Sequence, residues 1–497
     1  MSVSTSNVEQ HAPSAWSTPS TQVAMFVAAQ SVLWTLVPGL VHYAPPVDTV
    51  EVYMWARDWI LVSNKHPNMA GWMLAASQWL TGSYGWSAYL MSGLSTTVSI
   101  LFVYLVGRDV TDQRTAMLGA ILPCTLAYFN WLTPQFNSNI ASMPFWAGFV
   151  WAVWKARQHG TLIWWVIVGL FGAGVIYCKI SGGILLLVAG IYALYDPCLR
   201  KQLLTFGPWL AMLVFIGLMV PLALEIRDFD HTVFLHAAGK ARDGSNLLTF
   251  LGAQILMCSG LLLTLALSIT RTRTRVSHET PATALSRDAA TFVTFFALGP
   301  IAIALLQSVL FSTRLRDLWA IPMGSYFGLA AIMWLQQFGF AIDPHRLRRL
   351  AAAIVLTVPL IYGGVKGWGT SSGWPATTAW PQREISRRLE TLWEMETKTP
   401  LKLVAGDAWE GGLVALTGKH TPSLLIDMEQ HRSPWISADR IARDGLLVVW
   451  PFTYREGDHM QRPLTQNCQP KSESFQWPGR PELKPIVLHY CIIPPKR

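Results

Sequence analysis

Charged side chains are scarce in this chain. Lys, Arg, Asp and Glu make up 13% of its 497 residues, whereas hydrophobic residues make up 52%, including 24 tryptophans and 21 phenylalanines. The mean hydropathy is +0.32. This balance excludes an ordinary soluble protein and is typical of an α-helical polytopic membrane protein. The length allows more than one domain.

Signals for binding nucleotides or nucleic acids are also missing. The sequence has no Gly-rich phosphate loop, no dinucleotide-binding fingerprint and no basic patch interleaved with aromatic residues. Its formal net charge of +9 comes largely from basic residues in short loops between apolar segments. That distribution indicates membrane topology, and we expect no nucleic-acid partner.

The N-terminus lacks the basic region of a signal peptide. Residues 1–21 contain no Lys or Arg and are rich in Ser, Thr, Pro and Gln. We predict that they are a disordered cytoplasmic N-terminus and that the apolar segment after them is an uncleaved span.

Cysteine is rare, and its spacing does not fit a metal site. Four of the six cysteines lie in or beside apolar segments. The other two, Cys468 and Cys491, lie in the polar C-terminal part. If that part faces an oxidising compartment, these two are candidates for a disulfide.

Eleven apolar segments approach the length of a membrane span, and we predict about 11 to 13 transmembrane helices. They lie near residues 22–41, 84–106, 115–131, 139–154, 161–178, 180–195, 205–224, 247–270, 290–311, 318–338 and 350–366. Several are shorter than the roughly 20 residues of a straight span, so residues 115–195 could instead form re-entrant or paired half-spans.

Loop charge gives the orientation, because positive charge is retained on the cytoplasmic side. One set of alternate loops is densely basic, and the other set is longer with fewer charges. An odd number of spans then leaves the first loop after span one, and everything after residue 367, outside. We predict a transmembrane domain over 22–366, a linker over 367–381 and a soluble α/β domain over 382–497.

Carboxylates concentrate in the first outer loop. On a helix Asp48, Glu51 and Asp58 would share one stripe with Trp55, which suits a surface that faces a sugar. The alternative is that Asp48 and Glu51, at capping-box spacing, only cap a helix start. A turn with Lys65 and His66 follows.

Other polar groups are predicted at the same outer face. They are Asn137, Asn139, Lys179, the loop with Asp228, and Arg314 with Arg316. A carboxylate can take the proton of an attacking group while Lys and Arg neutralise a leaving phosphate. The alternatives are snorkelling for Lys179, ion pairs for the two arginines and helix caps for the two asparagines.

Five stretches resemble the GT-C glycosyltransferases, in particular glycosyltransferase family 39 and the lipid A aminoarabinose transferase-like group. They read KHPNMAGWML, FNSNIASMPFW, YCKISGGILLL, EIRDFDHTVF and TRLRDLWAIPM. AGDAWEGGLVAL in the tail is similar to the soluble domain of a bacterial subgroup.

The resemblance implies an enzyme of the bacterial inner membrane, with its C-terminal domain periplasmic, that moves a sugar from a polyprenyl-phosphate donor to lipid A, another lipid or a glycan. It implies Asp48 and Glu51 as the catalytic pair. The implied phosphate and donor group contains Lys65, His66, Lys179, Arg314 and Arg316, and the implied acceptor side contains Asp58, Asn137 and Asp228.

Two departures from the family pattern concern the entry motif. Asn68 replaces the second Pro of Lys-x-Pro-Pro, and Lys65-His66 replaces the Glu-Lys pair of the lipid A enzymes. No cofactor is certain from the sequence, although an acid-rich outer site is compatible with a divalent metal. The alternative functions are those of a lipid or solute transporter and of a catalytically silent binding protein.

Overall fold

The protein has a helical membrane domain followed by a mixed α/β domain. A computed structural model describes residues 18–241, 245–270, 287–371, 376–451 and 468–496. Most of the predicted N-terminal segment 1–21, part of the linker and the basic loop at 271–286 therefore lie outside the described residues.

The membrane domain consists of helices because its apolar runs satisfy every backbone hydrogen bond internally. The first nine helices are α1 (Pro19–Val41), α2 (Val47–Arg57), α3 (Met69–Thr81), α4 (Tyr84–Val110), α5 (Gln113–Ile121), α6 (Ser138–His159), α7 (Leu162–Cys178), α8 (Gly183–Tyr195) and α9 (Pro197–Gln202). The next are α10 (Phe206–Asp228), α11 (Thr232–Ala241), α12 (Leu247–Met257), α13 (Ser259–Ser268), α14 (Arg287–Phe311), α15 (Phe327–Gln337) and α16 (Pro344–Ser371). A short pair, β1 (Ile269–Thr270) with β2 (Ala341–Ile342), joins α13 to α16.

The predicted fold class is confirmed, but the predicted number of spans is not. Among the described residues six helical segments are long and apolar enough to cross a membrane, or seven if the bent pair α12 and α13 counts as one span. The apolar segment at 115–131 forms the short helix α5 and two 3₁₀ turns, with Pro123 in the first turn. A membrane-length hydropathy signal therefore does not always correspond to one continuous helix.

Ion pairs hold the end of the membrane domain that carries the densely basic loops. Lys155 Nζ lies 2.6 Å from Asp109 Oδ2. Arg157 bonds the buried Asp196 at 2.9 Å and reaches Asp288 at 3.2 Å. Asp196 also caps α9 by accepting the Leu199 amide. These contacts therefore join α4, α6, α9 and α14 at this end.

The α/β domain begins with the amphipathic helix α17 (Gln382–Thr397). The remaining elements are β3 (Leu403–Gly406), α18 (Glu410–Leu416), β4 (Ser423–Ile426), α19 (Ala438–Asp444), β5 (Leu446–Pro451), β6 (Lys471–Phe475) and β7 (Ile486–Ile493). The sheet order is β4-β3-β5-β7-β6; β3 is parallel to both β4 and β5, while β7 is antiparallel to β5 and β6.

Local chemistry explains several features of this domain. Gly406 ends β3 where an added Cβ would lie 2.7 Å from the Val449 carbonyl oxygen, so only glycine fits without displacement. Apolar residues of α17 such as Leu389 and Trp393 are buried, and α17 packs against α18. Cys468 and Cys491 form a disulfide, with their Cα atoms 5.9 Å apart.

The α/β domain docks on the first outer loop through α18 and α2. A Cβ added to Gly412 would lie 2.7 Å from Val50 Cγ1, so the two helices approach closely. Arg57, the last residue of α2, donates to the carbonyl oxygens of Ala415 at 2.6 Å, Pro422 at 2.8 Å and Leu416 at 3.1 Å. Two of these carbonyls, those of Ala415 and Leu416, lie at the carboxyl end of α18, the end that favours a cation.

Candidate active site

Helix α2 carries the predicted catalytic acids, and its start has no capping box. Its N-cap is Pro46, and no side-chain oxygen caps it among the described residues. Asp48 lies in the exposed first turn, whereas Glu51 is buried. The alternative that this pair only forms a capping box is therefore wrong.

Asp48 is connected to Lys179 by two asparagines. Asn137 Nδ2 donates to Asp48 Oδ2 at 3.2 Å, and Asn137 Oδ1 caps α6 by accepting the amides of Asn139 and Ile140. Lys179 Nζ donates to Asn139 Oδ1 at 2.7 Å. The predicted cap at Asn137 is present, and the same side chain also orients the carboxylate of Asp48.

Lys179 lies in the turn between α7 and α8. It is 8% exposed, so the snorkelling alternative is wrong. Its ammonium lies 5.1 Å from the centre of the Trp319 ring, a cation–π contact. Burial lowers the pKa of Lys179 to about 7, and the nearby charge of Asp48 acts in the opposite direction. The lysine can therefore gain or lose its proton near neutral pH.

Glu51 pairs with Lys65 in the turn after α2. The Lys65 Nζ to Glu51 Oε1 distance is 2.6 Å. Burial raises the pKa of Glu51, while Lys65 opposes that shift. The turn is held by Ser63 Oγ, which accepts the amides of Lys65 at 3.2 Å and His66 at 3.0 Å.

All five residues of the predicted donor group line one cavity of about 490 Å³. Lys65 and His66 come from the first outer loop, Lys179 from the turn after α7, and Arg314 and Arg316 from the segment after α14. No carboxylate is among the described lining residues. The remaining wall is largely apolar and includes Ile184, Val233, Phe234, Phe250, Leu315, Trp319 and Met323.

Two residues that sequence reasoning did not place in the site hold the first outer loop. Glu225, at the end of α10, accepts the amides of Leu61 at 2.7 Å and Val62 at 3.0 Å. Asn68 Nδ2 donates to the carbonyls of Trp55 and Ile60, both at 2.9 Å. The residue that departs from the family's second Pro thus ties the end of α2 to the turn that carries Lys65.

The three predicted acceptor-side residues lie in different surroundings. Asn137 is beside Asp48. Asp58 Oδ1 accepts from Ser423 Oγ of the α/β domain at 2.6 Å and lies 3.6 Å from Arg440 Nη1. Asp228 is exposed and pairs with its neighbour Arg227. The acceptor-side role of all three stays a prediction.

The α/β domain adds carboxylates at the carboxyl ends of its parallel strands. Asp407 Oδ1 accepts the amides of Trp409 at 3.0 Å and Glu410 at 2.6 Å. Burial and the neighbouring Asp407 raise the pKa of Glu410. Asp427 follows β4, and burial raises its pKa.

The chain is similar to known proteins in sequence and in fold. The family profile described as dolichyl-phosphate-mannose-protein mannosyltransferase matches residues 65–224. Undecaprenyl phosphate-alpha-4-amino-4-deoxy-L-arabinose arabinosyl transferase 1 of Pseudomonas fluorescens is 29% identical over 178 residues, 33% of this chain. The chain spans 31% of that relative's length. The resemblance to the GT-C glycosyltransferases is confirmed.

Solved structures define the fold more closely. ArnT from Cupriavidus metallidurans bound to undecaprenyl phosphate has a TM-score of 0.64 at 14% identity, covering 94% of this chain and 97% of that chain. The apo structure of the same protein also has a TM-score of 0.64 at 14% identity, covering 95% and 98%. The chain therefore has an ArnT-like GT-C fold over almost its whole length.

Proposed function

We propose that this protein is a membrane glycosyltransferase that moves a sugar from a polyprenyl-phosphate donor to a lipid or polysaccharide acceptor. The observation that carries the proposal is the cavity in which Lys65, Lys179, Arg314 and Arg316 meet beside an apolar wall. Such a lining fits an anionic head group with an attached hydrocarbon chain. The Cupriavidus protein of the same fold was crystallised with undecaprenyl phosphate.

Asp48 is the proposed catalytic acid–base residue. It accepts the proton of the attacking acceptor hydroxyl while the acceptor oxygen bonds to the anomeric carbon of the sugar. The bond from that carbon to the phosphate oxygen breaks, and the polyprenyl phosphate leaves with the electron pair. The cationic lining stabilises the charge that develops on the phosphate.

Glu51 has a different proposed part. It is buried and paired with Lys65 at 2.6 Å, whereas Asp48 is exposed in the first turn of α2. The Glu51 carboxylate holds Lys65 at the edge of the cavity. Replacing Glu51 would leave the Lys65 ammonium without this ion-pair partner. We place the acceptor near Asn137, because its amide contacts Asp48 directly.

The proposed location is the bacterial inner membrane with the α/β domain in the periplasm. The loop-charge asymmetry and the disulfide in the α/β domain support this orientation. A C-terminal alkaline phosphatase fusion should be active in intact bacteria, and a fluorescent-protein fusion at the same end should stay dark. The reverse pattern would refute the orientation.

Asp48→Asn tests the reaction. Purified wild-type protein should transfer label from one of a panel of polyprenyl-phosphate sugars into membrane lipid or polysaccharide, and the variant should lose about 10²- to 10⁴-fold in rate. Asp439→Asn, an exposed change in α19, serves as the matched control and should keep the wild-type rate. Equal transfer by Asp48→Asn would remove Asp48 from the mechanism.

A further inference from the structure

A cluster of three side chains in the α/β domain has the composition of a metal site. Glu390 and Glu394 are four residues apart on α17 and share one helix face. His420 lies in the turn between α18 and β4. One ligand atom from each of the three residues lies within 4.8 Å of the others. Elsewhere in the described part of the chain, no other such group of three His, Cys, Asp or Glu side chains occurs.

Two of these atoms are separated by nearly the distance expected between two ligands of one ion. His420 Nε2 lies 3.7 Å from Glu394 Oε1. Two ligands that each lie about 2.0–2.1 Å from a tetrahedral Zn²⁺ are about 3.3 Å apart. A shift of a few tenths of an ångström therefore brings the pair to coordination distance, and both side chains are partly exposed and can move.

Glu390 supplies independent support, because it is buried and only half satisfied. It is 8% exposed. Its Oε2 accepts the Lys419 amide at 3.0 Å, whereas its Oε1 is buried and has no hydrogen-bond partner within the described ranges. A buried carboxylate oxygen without a partner is costly, and a like charge at i+4 on the same helix adds to that cost. A cation between Glu390 and Glu394 would compensate for both.

We propose that Glu390, Glu394 and His420 form a binding site for a divalent cation of the Zn²⁺ type. An imidazole with two carboxylates suits zinc, whereas calcium and magnesium prefer oxygen ligands alone. Three protein ligands leave one position for water. Both glutamates line the cleft of about 950 Å³ between the α/β domain and the outer ends of α1 and α4, so that position is accessible.

The bound cation ties α17 to the turn after α18. Helix α18 contacts α2, the helix that carries Asp48, through Gly412 and Val50. The cation thereby stabilises the part of the α/β domain that docks on the first outer loop. This site is separate from the donor cavity, with which it shares no lining residue. Its test is therefore independent of the proposed transferase activity.

The experiment uses the full-length protein in detergent, without a His tag. The protein is stripped with a chelator and titrated with Zn²⁺ against a chromophoric competitor, and bound metal is counted by mass spectrometry. Wild type should bind one Zn²⁺ that Glu394→Gln and His420→Asn each weaken by at least about tenfold. Glu396→Gln on the same helix removes a carboxylate that instead pairs with Lys471, and it should bind like wild type.

Thermal unfolding gives a second readout. Zn²⁺ should raise the melting temperature of wild type and of Glu396→Gln, but not that of His420→Asn. If His420→Asn does not fold, Glu394→Gln decides, because the Glu394 side chain is 42% exposed and its loss is tolerable. The proposal is overturned if stripped wild type takes up no Zn²⁺, or if Glu394→Gln binds it as tightly as wild type.

Discussion

The cavity lined by the predicted donor group and the cleft between the α/β domain and the ends of α1 and α4 differ in charge. The described lining of the cavity has cations and no carboxylate, while the cleft mixes Glu384, Glu390 and Glu394 with Arg383, Arg387 and Lys419. A lining whose charged side chains are all cationic, next to an apolar wall, favours an anionic amphiphile. A lining that mixes positive and negative side chains does not favour a ligand of either charge. Only a local cluster within it can bind a particular ion.

The two regions also differ in how they are built. The basic residues of the cavity come from segments around residues 65, 179 and 315, and long-range packing of helices brings them together. The cluster at the edge of the cleft comes from one helix and one turn about 30 residues away. Changes in the cavity should therefore alter transfer, and changes near the cleft should alter stability.

Among changes to the cavity lining, Lys179→Met should have a large effect, and it should lower transfer without lowering stability. Removing one preorganised donor from a dry site costs about 10²- to 10³-fold in rate. Methionine keeps most of the volume, so the melting temperature should stay near that of wild type. Transfer assays with melting curves on both proteins check this. A large loss of stability with unchanged transfer would contradict the expectation that changes in the cavity alter transfer and not stability.

Removal of the disulfide should affect the α/β domain and leave the cavity intact. Cys468 and Cys491 are 23 residues apart in the sequence, a loop for which the chain-entropy estimate is about 3 kcal/mol. The double change to Ser should lower the free energy of unfolding of this domain by about that amount. Chemical unfolding followed by Trp fluorescence measures it. The same double variant should retain transfer at temperatures below its transition.

Arg57→Ala should loosen the docking of the two domains. The change leaves the carbonyl oxygens of Ala415 and Leu416, at the carboxyl end of α18, and of Pro422 without this donor. We expect a loss of roughly 2 kcal/mol in stability and faster proteolysis between the domains. Arg57→Lys retains the charge but not the forked set of N–H donors. Its stability and proteolysis rate should therefore lie between those of wild type and Arg57→Ala. Proteolysis at the wild-type rate would contradict this prediction.

The pH dependence of donor binding should be the smallest effect. The lysine at 179 is protonated below its pKa of about 7 and loses its charge as pH rises through that value. The phosphodiester of the donor keeps its single charge over this range. Donor affinity should therefore fall several-fold between about pH 6 and 8. The profile of Lys179→Met should be flat, and a parallel slope in that variant would assign the titration to another group.

Much of the membrane domain could be predicted because its physical signal is local. Apolar length indicated the helices without knowledge of their packing. The outer location of the loops, inferred from their charge, stays a prediction. The count of spans could not be predicted equally well. Pro123 and the 3₁₀ turns around it break the apolar segment at 115–131, although its hydropathy suits a span.

The candidate site was predictable to the extent that charge at an outer membrane face requires compensation. Lys179 and the arginines at 314 and 316 were found by this reasoning. Glu225 begins the stretch EIRDFDHTVF, but its bonds to the amides of Leu61 and Val62 depend on how α10 packs against the first loop. The spacing of residues in the sequence does not predict a contact between such distant positions.

The sequence by itself determined that this protein is a helical membrane protein with a mixed α/β domain, and its motifs determined the GT-C resemblance. Those properties follow from composition, periodicity and short-range chemistry. The tertiary structure decided that Asp48, Asn137, Asn139 and Lys179 form one chain of contacts. It also decided that the predicted phosphate ligands share a cavity, because closeness between residues more than 100 positions apart depends on helix packing.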